Sequence, residues 1–137
     1  MNGERALKYT LGLVLIVLLL AGCGGAAASD VAVCDAYQQL VDVWPSNSEE
    51  VDAAGSRDEI WGPITDAGEA LVTASEAADT AELGQAGQRV GEAAAGFVDR
   101  NASIVEQGFV PFFTEDLVDG SELSQLCEGM GEPITLP

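Results

Sequence analysis

Histidine is absent from this 137-residue sequence, and Lys and Arg together number five against 23 Asp and Glu. Without His, the commonest general base and the commonest nitrogen ligand for metals are both missing. A formal charge of −18 argues against nucleic acid as a partner, because phosphates exchange their counterions for Lys and Arg. Cysteine is scarce at three, with no CxxC spacing, so dithiol redox chemistry is not expected. Catalytic motifs are missing as well. No GxSxG, HExxH, P-loop or GxGxxG occurs in a useful context, and the Ser and Thr hydroxyls beyond residue 22 lack a His or Lys base. Carboxylate pairs arise by chance among so many acids, so they do not point to glycoside hydrolysis. Asp116, Asp119, Gly120 and Glu122 resemble a calcium loop only in part: a loop fitted from Glu115 puts Leu117 and Leu126 at ligand positions. Neither an enzyme nor a metal or cofactor site is expected. What is present is a core: apolar residues make up 47% of a chain whose length suits one small domain.

The amino-terminal segment is the most specific signal. Arg5 and Lys8 precede an apolar run, Leu11 to Leu20, interrupted only by Gly12. That run is too short for a hydrocarbon core that needs ~20 helical residues, and its layout is that of a secretory signal peptide. Leu20-Ala21-Gly22-Cys23 follows. At this point the chain resembles the bacterial lipoproteins, whose lipobox has Leu, two small residues and Cys. The resemblance covers residues 1–23 alone. It implies cleavage between Gly22 and Cys23, a diacylglyceryl group on the Cys23 thiol, and acylation of the new amino terminus. The expected organisation is a signal peptide (1–22), a lipidated Cys with a flexible linker (23–29) and an acidic helical domain (30–137). The expected location is the outer face of the bacterial cell membrane.

Beyond residue 22 the chain keeps Arg57, Arg89 and Arg100 against 22 carboxylates, with no Lys. Such a surface repels DNA and anionic lipid, and solvation alone accounts for most acidic surfaces. The composition resembles that of surface lipoproteins of high-GC Gram-positive bacteria and is equally compatible with adaptation to salt. With Cys23 assigned to lipid, Cys34 and Cys127 remain. An oxidising compartment then predicts one intramolecular disulfide between them, closing a loop of 93 positions as a structural staple.

Apolar periodicity predicts helices. Val33, Tyr37, Leu40 and Trp44 form one stripe that Pro45 ends. Ser46 with Glu49 and Ser56 with Glu59 read as capping boxes. The second stripe is Ile60, Ile64, Ala67, Leu71, Ala74 and Ala78, with Gly62-Pro63 marking either a kink or the true start. Asp79 with Glu82 marks the next start, and a stripe runs from Leu83 through Gly87, Val90, Ala94, Phe97, Asn101 and Ile104 to Gly108. Leu123 and Leu126 or Cys127 belong to a last helix. The expected fold is all-α: a small antiparallel bundle of about four principal helices, stapled by one disulfide. Gly84, Gly87, Gly91 and Ala94 share a face, which suits close helix packing better than a dimer seam. Asn101 is the one polar residue on its stripe: it fixes register, lines a polar pocket or faces solvent.

Two functions from different classes follow. The first is an envelope interaction module, and the alternative is a carrier of a small apolar ligand or lipid in a pocket between helices. The candidate contact residues are Phe109, Phe112 and Phe113, crowded into Gly108–Thr114. Either they plug the bundle end against Trp44 or Trp61, or they form a hydrophobic lip.

Overall fold

The structure, a computed structural model, describes residues 26–137. The segment read as a signal peptide, and Cys23 with it, lie outside the described residues. Eight helices and no strands occur among those described: α1 Ala28–Val43, α2 Ser48–Ala53, α3 Arg57–Glu76, α4 Ala81–Ala95, α5 Phe97–Arg100, α6 Ala102–Glu106, α7 Glu115–Val118 and α8 Ser121–Gly129. Helices α1, α3 and α4 run up, down and up, and α7 and α8 pack on the α1–α4 side. This is the all-α bundle expected, with α1, α3, α4 and α8 as its principal helices.

Each apolar stripe faces inward. Val33, Tyr37, Leu40 and Trp44 are buried, as are Ile60, Ile64 and Leu71 of α3 and Leu83, Val90 and Ala94 of α4. Helix α1 begins at Ala28, within the segment read as linker, and its buried Asp30 has a structural task. Pro63 lies inside α3, which starts at Arg57. Gly62 makes this tolerable, because the ring of a proline crowds the Cβ of the residue before it and Gly has none. The carbonyl that loses its donor is that of Glu59, one turn earlier, and Glu59 is itself exposed.

Helices α3 and α4 approach more closely than side chains allow. A Cβ added at Gly68 would lie 2.6 Å from the Ala95 nitrogen, and one at Gly91 would lie 2.7 Å from both the Gly68 oxygen and Val72 Cγ2. Gly87 faces the Ser75 hydroxyl and Val33. The small-residue face is thus consumed by intramolecular packing. The disulfide joins Cys34 of α1 to Cys127 of α8 with a Cα separation of 5.8 Å, and both cysteines are buried.

Three local readings are corrected. The cap of α2 is Asn47, whose side chain accepts from the Glu50 N–H at 3.0 Å, while Glu50 accepts from the Ser46 N–H at 2.7 Å. The box is therefore shifted by one residue from Ser46–Glu49. The long stripe from Leu83 to Gly108 is not one helix but α4, α5 and α6, broken at Gly96 and Asn101. At the first break the Arg100 guanidinium donates to the carbonyls of Glu92 and Ala93. At the second, Asn101 Nδ2 donates to the Phe97 carbonyl at 2.9 Å, which gives that polar residue its role. The start of α4 is not held by Asp79 and Glu82. Asp30, reaching across from α1, accepts from the Asp79 and Thr80 N–H groups at 2.9 and 3.0 Å and from the Thr80 hydroxyl at 2.6 Å.

Two outcomes follow. Gly91→Ala gains about 1 kcal/mol of helix propensity but loses about 1–3 kcal/mol to overpacking against backbone, so urea unfolding should show net destabilisation. Gly129→Ala, where a Cβ meets nothing within 4 Å, should be neutral or stabilising; equal effects at both positions would refute the seam. The second outcome concerns Asp30, whose carboxyl is held below its ordinary range by the Thr80 hydroxyl and by the Thr80 and Asp79 N–H groups, against the opposing effect of burial. A depressed folded pKa contributes stability that is full above the unfolded Asp value of ~3.9 and lost as pH falls through the folded value. Asp30→Asn should therefore trail wild type at neutral pH, with the gap closing on acidification below that range. A gap that stays constant with pH would remove the charge from the account.

Candidate interaction surface

The carboxyl end of α1, the amino end of α3 and helix α5 meet in an aromatic cluster. Trp44 is the hub, with edge contacts to Trp61, Phe97 and Phe113 at centroid distances of 6.2, 5.3 and 5.9 Å. Trp61 stacks on Phe97 at 5.4 Å. Edge-to-face and offset arrangements suit the quadrupoles of the rings, so the cluster adds to ordinary apolar burial. Trp61 Nε1 is buried without a hydrogen-bond partner, which costs stability that the stacked ring must offset.

The Phe-rich connection is tied onto this cluster from both sides. Trp44 Nε1 donates to the Pro111 carbonyl at 2.9 Å, and the Phe113 N–H donates to the Pro45 carbonyl at 3.1 Å. The segment leaves α6 through Gly108, whose φ of +82° is a left-handed conformation that glycine adopts at no steric cost. Side chains then divide. Phe113 is buried at 6% exposure, as the end-plug reading expects, and is withdrawn from the candidate contact surface. Phe109 and Phe112 are 58% and 46% exposed, as the lip reading expects. The three phenylalanines therefore do not act as one group.

Beside Phe109, an open cleft of about 270 Å³ is lined by apolar Val51, Ile60 and Val110 and by Asp52, Ser56 and Arg57, among others. Its walls come from α2, the start of α3 and the loop. A second open cleft of about 330 Å³ lies under the carboxyl-terminal segment, between Glu115, Ser124, Glu128 and Ile134. That segment is held by Gln38, which accepts from the Thr135 N–H and donates to its carbonyl at 2.7 and 3.1 Å. Neither cleft passes between α1, α3 and α4. Among the described residues no group of three or more His, Cys, Asp or Glu is placed to hold a metal ion, and no helix is long and apolar enough to cross a membrane.

No protein-family model matches the chain, and neither a curated protein nor a solved structure is significantly similar to it. The reading of the surface rests on its own chemistry.

The loop generates a three-way comparison. Phe113→Ala should cost about 3–5 kcal/mol in urea unfolding, the usual loss for a buried aromatic. Phe109→Ala and Phe112→Ala should each stay within roughly 1 kcal/mol of wild type, since exposed positions carry little packing energy. A large loss at either exposed position would make it part of the core and end its candidacy for contact.

Proposed function

We propose that this protein is an exported lipoprotein, anchored through Cys23, whose helical domain serves as an interaction module at the bacterial cell envelope. The observation that carries the reading is the exposure of Phe109 and Phe112 on a loop fixed to the core at Pro111 and Phe113. Rigidly presented aromatic side chains are what interface hot spots consist of, and holding them in place beforehand reduces the entropy cost of binding. Position supports the reading. Helix α1 has 16 residues, a rise of about 24 Å, and it leads from Ala28 to Trp44 and the aromatic end. The Phe pair therefore lies toward the end of α1 remote from its amino terminus, the terminus that follows Cys23 in sequence. The carrier reading has less support, because the clefts are open and none of those described enters the glycine-packed interior. No residue is assigned a catalytic role.

The proposal is tested in cells with a photo-crosslinking residue at position 109 or 112. A discrete adduct with an envelope protein is expected, and Phe109→Ser/Phe112→Ser should abolish co-purification without lowering the melting temperature. No adduct from either position would refute docking. Cys23→Ser should separately remove the lipid mass and the domain's membrane fractionation; an unlipidated wild-type chain that still sediments with membrane would refute the anchor.

A further inference from the structure

The charge around the exposed Phe pair says what kind of partner fits, an inference that rests on the docking reading above. Glu106, Glu115 and Asp116 flank the loop in sequence, and Asp52 faces it across the cleft. The ion pair found among the described residues joins Arg89 to Glu122, on α4 and α8. Asp116 shares another open cleft with Arg89 and Arg100, whereas Glu106, Glu115 and Asp52 take part in no ion pair found among the described residues. Arg57 is the one cation lining the cleft beside Phe109, and the chain beyond residue 22 has no Lys. A second copy of this chain would bring its own acidic surface against these groups, and an anionic bilayer would be repelled likewise. Exposed Phe faces carry negative quadrupole density and attract guanidinium or ammonium groups, as carboxylates do.

We propose that the surface takes a cationic, apolar-anchored polypeptide segment of another protein. One aliphatic or aromatic side chain of that segment occupies the cleft between Val51, Ile60 and Val110. Its Arg or Lys residues lie outside the cleft, over Phe109 and Phe112 and against Glu106. Arg57 keeps the partner's positive charge out of the cleft itself. The interaction is therefore salt-sensitive in rate and apolar in its anchor.

The test uses the full-length protein in nanodiscs of uncharged lipid, with empty nanodiscs as reference. Three labelled peptides serve as probes: one of Arg, Gly and Leu, the same with Leu replaced by Ser, and the same with Arg replaced by Glu. Saturable binding of the Arg/Leu peptide is expected. It should weaken about tenfold or more, the loss typical of an interface anchor, with the Ser peptide, with the Glu peptide, or on Phe109→Ser/Phe112→Ser. Affinity unchanged by the double substitution would reduce the effect to diffuse charge attraction and overturn the proposal. So would a Glu peptide that binds as tightly, or Arg/Leu binding that never saturates. A self-association lost on the same substitution would assign the surface to a second copy instead. An envelope protein crosslinked at 109 or 112 through a face lacking Arg and Lys would overturn the charge assignment while leaving docking intact.

Discussion

The backbone-to-backbone contact of α3 with α4 is the constraint on which the remaining structure depends. Gly68 and Gly91 each present backbone where a neighbour would otherwise meet a side chain. Helices this close leave no room for a ligand between them, and they offer α1 a continuous surface to cover. Val33 packs at Gly87, and Ser75 turns its hydroxyl back to the Leu71 carbonyl at 2.7 Å, which satisfies a polar group buried beneath α1. Gly in a helix costs up to ~1 kcal/mol relative to Ala. Close packing must exceed that cost, and so it cannot be traded for a cavity.

The two ends of the bundle are fastened by unlike chemistry. At one end Asp30 holds the α3–α4 connection with a charged oxygen. At the other, Trp44 gathers three rings and binds the loop through its indole N–H. Between them the disulfide ties α8 to α1. A chain with 22 carboxylates and three arginines beyond residue 22 repels itself, and compaction increases that repulsion. Closing a 93-position loop removes roughly 4–5 kcal/mol of unfolded-state entropy in the chain-entropy description. The staple thus opposes the strain that the acidic composition imposes. Reversible surface pairing contributes little beside it, since Arg89–Glu122 is exposed on both sides.

Most of the architecture was legible because it is periodic. The stripes from Val33 to Trp44 and from Ile60 to Leu71 face the core as their spacing required, and cysteine arithmetic paired Cys34 with Cys127. What could not be read was set by contacts distant in sequence. Asp30 displaces the local cap signal at Asp79 from a position 49 residues away. Periodicity was equally blind to the breaks at Gly96 and Asn101: Phe97 stays on the buried stripe, but past Asn101 the phase shifts by one, with Val105 buried and Ile104 only half-buried. The division of the Phe loop was half legible. Composition marked the segment, but only the fold separates Phe113 from its neighbours.

That division bears on why Phe109 and Phe112 remain outside. The aromatic end is already complete: Trp44 has three ring neighbours, and Phe113 fills the last side of it. Turning Phe112 inward would displace Phe113 or break the bond from Trp44 Nε1 to Pro111, leaving a buried indole N–H unsatisfied. That loss costs about 1–3 kcal/mol, comparable with the gain from burying one more partly exposed ring. Pro111 reinforces the constraint by fixing its own φ and restricting Val110 before it. Exposure of the pair is therefore a consequence of how the end of the bundle is satisfied.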